Sequence, residues 1–152
     1  VLSTDLSIPA LEAAERHFRL NLGHPRIAAA QHTTLAGDAF AILEELSSAG
    51  RRFGLVIVDP PSFAQSQAQI PGALAAYARL ATLGLGVLAP EGTLVMSSCS
   101  SRVSAEAFFT CVLGAAAGAG RALREIARTG HPLDHPIGFP EGAYLKCLYA
   151  TG

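Results

Sequence analysis

The run Phe53-Gly54-Leu55-Val56-Ile57-Val58-Asp59-Pro60-Pro61-Ser62-Phe63 decides the reading of the fold. Its first six residues are almost wholly apolar, as expected of a central parallel strand buried on both faces. The strand must stop at Asp59, because two successive prolines fix φ and offer no N–H to a ladder. An apolar strand that ends in an acid and a stiff turn is how an open α/β sheet presents polar groups to a crevice at its carboxyl edge.

Outward from this strand, helical and extended patterns alternate. Residues 39–49 read as a helix stopped by Gly50, and residues 71–88 as a helix opening at Pro71. After the turn Pro90-Glu91-Gly92, residues 93–98 form a second buried strand that delivers Cys99 at its end. Residues 1–4 and 33–36 read as strands running into Asp5 and Asp38. Between them Leu11, Ala14, Phe18 and Leu22 recur at helical spacing up to Gly23, with Ser7 or Ile8 at the cap and Pro9 in the first turn. Ser104 is placed to cap a helix over residues 105–117. Residues 124–128 and 143–149 read as the last two strands, separated by a turn-rich stretch, residues 130–142, that holds Pro132, Pro136 and Pro140. This alternation predicts a doubly wound parallel α/β sheet.

Composition narrows the choices further. With half of 152 residues apolar and only 15% charged, the chain has the material for one well-packed domain and none of the signature of disorder. The formal net charge of -1 gives no general support for nucleic-acid binding. Two local clusters, Arg16, Arg19 and Arg26, and Arg121, Arg124 and Arg128, read either as RNA-facing patches or as solvated helix faces. The three cysteines, Cys99, Cys111 and Cys147, lack metal-ligand spacing and are odd in number, which predicts free thiols in a reduced cytoplasmic setting. The apolar region over residues 70–88 is interrupted by Arg79 and glycines, so no membrane span is expected, and no signal peptide is evident. The start at Val1, already in a core-like strand, predicts a piece of a longer protein.

Four predicted strand ends carry Asp5, Asp38, Asp59 and Cys99. Asp5 stands where a carboxylate accepts from two ribose hydroxyls, or where it caps the next helix. Asp38 is placed to accept from an adenine amino group, or to cap the helix from Ala39. The Pro60 and Pro61 carbonyls suit an exocyclic amino group, Phe63 suits a stacked base and Asp59 a ring nitrogen; a tight turn alone is the competing explanation. His131 and His135 either contact substrate or serve the turn, and Lys146 either points to the crevice or is solvated.

Residues 53–63, FGLVIVDPPSF, resemble motif IV of class I methyltransferases. Together with residues 93–100, TLVMSSCS, they resemble the bacterial and archaeal large-subunit ribosomal RNA cytosine-C5 methyltransferase family. Asp5-Leu6-Ser7 with Ala10-Leu11, Gly37-Asp38-Ala39-Phe40, Asp134-His135-Pro136 and Tyr144-Leu145-Lys146 fit the same pattern, which extends over nearly the whole chain. The resemblance implies a Rossmann-like doubly wound sheet, mostly parallel with an antiparallel last strand and missing its first strand, and no metal. It implies S-adenosyl-L-methionine as cofactor, held by Asp5, Leu6, Asp38, Ala39, Phe40 and Asp59, and an RNA substrate whose target base meets Pro60, Pro61, Phe63 and His135. Cytosine C5 is a poor nucleophile, so this chemistry needs a thiolate at C6; Cys99 is the implied nucleophile and Asp59 the group at N3. Cys111 and Cys147 are read as packing.

The same resemblance implies a first strand and a glycine-rich cofactor loop ahead of Val1, between the strands that end at Asp5 and Asp59. Two apolar edges are then unpaired, and the expectation is that they pair with another copy or close by rearrangement. An RNA-binding module is expected ahead of the catalytic part as well. The chain as it stands is expected to bind cofactor poorly and turn over little. Two further readings are a guanine or adenine methyltransferase that uses the DPPSF motif without a nucleophile, and a non-catalytic module that oligomerises through its exposed sheet edges.

Overall fold

The computed structural model describes residues 1–139 and 142–152, so Pro140 of the turn-rich stretch lies outside the described residues. The chain divides into two compact units, Val1–Glu45 and Leu46–Gly152.

The first unit contains β1 (Leu2–Asp5), α1 (Ile8–Leu20), α2 (Pro25–Ala28), β2 (Thr33–Ala36) and the greater part of α3 (Ala39–Ser48). β1 and β2 pair in parallel, from Leu2 opposite Thr33 to Asp5 opposite Ala36, and α1 packs on both. Ser7 caps α1, its Oγ accepting from Ala10 N at 3.3 Å, and Pro9 sits in the first turn, where its missing N–H leaves nothing unpaired. Leu11 is the buried anchor of the helix. α1 ends earlier than its apolar spacing suggests: Asn21 caps it, and Leu22 lies outside it, exposed. α2, unexpected from the sequence, is a single turn started by Pro25, too short for hydrophobic periodicity to register. Gly50 follows α3 at φ +68°, the left-handed value that stops a helix without strain in glycine.

The second unit holds β3 (Phe53–Val58), a 3-10 turn at Gln67–Gln69, α4 (Ile70–Gly86), β4 (Leu88–Ser98), α5 (Ala105–Gly118), β5 (Arg124–Thr129) and β6 (Lys146–Thr151). Its four-stranded sheet has the order β3-β4-β6-β5; β3 and β4 are parallel, and β6 runs antiparallel to both β4 and β5. The resulting architecture is the Rossmann-like α/β arrangement expected, with an antiparallel last strand. The core is made by Leu94, Met96, Leu148 and Ala150 of the sheet with Tyr77, Leu80 and Leu85 of α4 and Phe108 and Val112 of α5, all at most 3% exposed. Burial of each large side chain contributes about 1.5–3 kcal/mol.

β3 departs from the expectation of burial on both faces. Val56 and Val58 are covered, and α4 lies against them closely enough that a Cβ on Gly84 would meet both. Leu55 and Ile57, pointing the other way, are 56% and 64% exposed. Among the described residues β3 pairs only with β4, so it is an edge strand with one covered face. β4 also starts earlier than expected, at Leu88 instead of after the turn. The register passes from Phe53 opposite Leu88 to Leu55 opposite Thr93, so Pro90-Glu91-Gly92 is accommodated as an irregularity inside the strand, with Glu91 at φ +60°.

Candidate active site

Parallel pairing of β3 with β4, with Val58 opposite Met96, brings the carboxyl ends of both strands to one edge of the sheet. Asp59 follows β3 and is exposed; Pro60 and Phe63 are half-buried and Pro61 exposed. Ser98 ends β4, and Cys99 follows it, half-buried.

Tyr77, wholly buried on α4, organises these two ends. Its hydroxyl is 2.9 Å from Ser98 Oγ, which also accepts from Ser100 N at 3.3 Å. Its ring lies 5.1 Å from that of Phe63, tilted by 58°, and 5.0 Å from Phe108, edge to face. Phe63 is thus packed against Tyr77 while remaining partly exposed. Burial raises the Tyr77 hydroxyl above its ordinary 10.0; the charges of Cys99 and, more weakly, Asp59 push the same way, while the bond to Ser98 opposes them. Both groups that the sequence marks for chemistry therefore act on one buried hydroxyl.

Behind Cys99 lies a feature the sequence left open. Lys146, 5% exposed, donates from Nζ to the carbonyls of Ser100, of Val103 at 2.7 Å and of Tyr144 at 3.1 Å. Three ammonium protons meet three carbonyls, which is what allows a cation to stay at this depth. Burial lowers this ammonium below 10.5, and the nearby Cys99 thiolate opposes the shift.

A cavity of about 590 Å³ opens at the same edge, lined by Asp59, Ser97, Ser98, Thr129, His131, Lys146, Cys147 and Tyr149 among others. Cys99 follows the lining residue Ser98 but does not itself line the cavity. Ser97 Oγ bonds Cys147 Sγ at 3.3 Å, so Cys147, read as packing from the sequence, belongs to this wall. His131 lines the cavity and accepts at Nε2 from the backbone N–H groups of Tyr144 and Leu145, at 3.1 and 3.0 Å. His135 is exposed and stacks on His131 at 5.0 Å. Tyr77, Ser98, Cys147 and Tyr149 were missed from sequence. Lys146, Leu148 and Ala150 alternate on the buried face of β6, and that period of two was the one available sign that Lys146 is interior.

In the first unit, Asp5 follows the pattern of a cap with an oxygen to spare. Its Oδ1 accepts from Ser7 N at 2.7 Å, and the side chain is exposed at the carboxyl end of β1. Asp38 does the same at α3, accepting from Ala41 N at 3.1 Å. Each carboxylate keeps an acceptor oxygen for a ligand, so the capping and ligand readings are compatible. Leu6 is 73% exposed beside Asp5. Among the described residues no group of His, Cys, Asp and Glu is arranged to hold a metal.

No protein-family model matches the chain. It is 43% identical over 149 residues to a ribosomal RNA large subunit methyltransferase of Deinococcus radiodurans, covering 98% of this chain and 36% of that protein. It is 37% identical over 148 residues to ribosomal RNA large subunit methyltransferase I of Vibrio vulnificus, covering 96% of this chain and 37% of the relative. Among solved structures, one described as an S-adenosylmethionine-dependent methyltransferase from Streptococcus mutans superposes with a TM-score of 0.81 at 19% identity, over 99% of this chain and 38% of that one. A methyltransferase homologue from Pyrococcus horikoshii gives 0.58 at 18% identity, over 99% of this chain and 52% of its own. The chain therefore spans little more than a third of the curated relatives it matches, and its fold is that of the Rossmann-like methyltransferases.

Proposed function

We propose that this chain is the part of an S-adenosylmethionine-dependent RNA methyltransferase that carries the target-base chemistry, and that the reaction methylates C5 of a cytosine in large-subunit ribosomal RNA. The observation that carries the reading is the parallel β3–β4 pair, which sets Asp59 and Cys99 at one edge of one sheet. The similarity to large-subunit ribosomal RNA methyltransferases supports the substrate class.

Asp5 and Leu6, with Asp38, Ala39 and Phe40, fit the adenosine half of the cofactor, because both acids are exposed and each has an oxygen beyond its capping bond. S-adenosylmethionine supplies a methyl group on a sulfonium, an electrophile that leaves a neutral thioether behind. The Cys99 thiolate adds to C6 of the cytosine, forming an S–C6 bond and shifting the C5–C6 π electrons so that C5 becomes nucleophilic. Asp59 holds the proton at N3 while the Pro60 carbonyl accepts from the exocyclic amino group, and Pro61, Phe63 and His135 border the base. Once C5 is methylated, a base takes the C5 proton, the C5–H electrons reform the C5–C6 double bond, and the S–C6 bond breaks to release the Cys99 thiolate. The three free thiols fit a reduced, cytoplasmic setting, and among the described residues no helix is long and apolar enough to cross a membrane.

The test is methyl transfer from labelled S-adenosylmethionine to large-subunit RNA by the natural protein, followed by nucleoside analysis. The expected product is 5-methylcytidine, lost on Cys99→Ala. Retained methylation in that variant, with the label on guanine or on an amino group of adenine, replaces this reading by one without a nucleophile. The exposure of Leu55 and Ile57 on an edge strand supports a second, compatible element, self-association along β3. Sedimentation over a range of concentrations tests it, and a monomer throughout removes it.

A further inference from the structure

The segment from Cys99 to Ser104 joins β4 to the capping residue of α5, and its carbonyls are held by a side chain from a different strand. Lys146 leaves β6 on its buried face, opposite Ser98 in the antiparallel register, and reaches under the turn to Ser100 O and Val103 O while also binding Tyr144 O. Ser100 and Val103 are at most 2% exposed, so these bonds have no water to replace them. A structural lysine on a surface would be exchangeable for other polar residues. Here the ammonium is the common partner of both ends of the turn that carries the thiol.

We propose that Lys146 is a positioning residue for Cys99, tying the turn behind the sulfur to the start of β6. The assignment rests on the reading of Cys99 as nucleophile, but it concerns the thiol before any RNA or cofactor is bound. The ionisable groups that act on this corner are Lys146 from β6, Tyr77 from α4 and Asp59 from the end of β3; Cys99 and Asp59 both bear on Tyr77, and Cys99 on Lys146.

The test is site-resolved alkylation of the intact chain by iodoacetamide at one fixed pH, read by mass spectrometry at each cysteine. In Lys146→Met, with the turn that carries the sulfur no longer tied to β6, the rate of Cys99 alkylation is expected to change severalfold while that of Cys111 on α5 stays as it was. Lys146→Arg, which keeps the charge and several donors, is expected to restore most of the rate. An unchanged Cys99 rate in Lys146→Met overturns the proposal, and so does a parallel change at all three cysteines, which marks general loosening. Should Lys146→Met fail to fold, Cys99→Ser serves in its place: with the thiolate gone, the Lys146 ammonium followed by NMR is expected to titrate at lower pH than in the natural chain. No change there overturns the proposal. Loss or survival of methyl transfer in Cys99→Ala leaves both outcomes untouched, so failure of the functional reading is seen separately.

Discussion

The Tyr77 hydroxyl lies 2.9 Å from Ser98 Oγ, joining the middle of α4 to the last residue of β4. Since the Phe63 ring leans on the same tyrosine, one side chain holds both chain segments that leave the edge of the sheet. Replacement by phenylalanine keeps the ring contacts and removes only the hydroxyl. Tyr77→Phe is expected to lower stability by about 1–2 kcal/mol, measured as a shift in the urea midpoint at constant m-value. An unchanged midpoint contradicts this role.

The same hydroxyl gives a pH signature. Burial raises its pKa above the ordinary 10.0, so the folded chain keeps the proton longer than the unfolded chain does. Its contribution is therefore complete below pH 10.0 and is lost as pH rises through the higher folded value. Urea midpoints collected upward from that pH should fall more steeply for the natural chain than for Tyr77→Phe; equal slopes refute the assignment.

Gly92 sits in the irregular part of β4, where a Cβ would stand 2.8 Å from Ala89 O and 2.8 Å from Leu88 Cδ1. One of these neighbours is backbone and cannot turn aside. Gly92→Ala is expected to destabilise by about 1–3 kcal/mol in thermal or urea unfolding. A neutral substitution indicates that the irregular stretch yields without strain.

Phe108, wholly buried, meets Tyr77 edge to face at 5.0 Å and Phe109 at 5.7 Å. Phe108→Ala should lose about 3–5 kcal/mol, the amount expected when a large aromatic is removed from a packed centre. A smaller loss in calorimetry means that α5 collapses onto the vacated space.

Cys111 donates from Sγ to Leu74 O at 3.1 Å, and burial raises its thiol above the ordinary 9.0. The thiolate fraction near neutral pH is correspondingly reduced, so Cys111 should be the slowest of the three cysteines to react with iodoacetamide. Faster labelling of Cys111 than of Cys99 shows that α4 and α5 separate locally.

Much of this arrangement was legible in the residues, and the exceptions have physical causes. Ser7 and Ser104 were readable as caps because a hydroxyl before an apolar-periodic run has few other local uses. That β3 and β4 lie side by side, with Asp59 and Cys99 following their carboxyl ends, was readable because apolar strands flanked by helices pair in parallel and end at a common edge. Exposure of Leu55 and Ile57 was not readable: apolar content describes what a strand is suited to contact, and the partners present decide what it does contact. Nor was the role of Tyr77, since a tyrosine on an alanine-rich helix gives no hint of which hydroxyl it will meet. For His131 the residues left substrate contact and service to the turn both open, because its binding to two backbone N–H groups depends on how a proline-rich loop closes.

β6 places an ammonium and a thiol on successive residues, Lys146 toward the interior and Cys147 toward the cavity, with bonded neighbours on both sides. Pairing on two sides makes this a parity constraint. A single residue inserted just after Cys147, with the later pairs of the ladder held, would exchange the two groups, turning a cation out to solvent and a sulfur in beneath Ser100, whereas a two-residue insertion would preserve their sides. Length variation in this protein should therefore be absorbed in the loop between β5 and β6, and odd-numbered insertions within β6 itself should abolish folding and chemistry together.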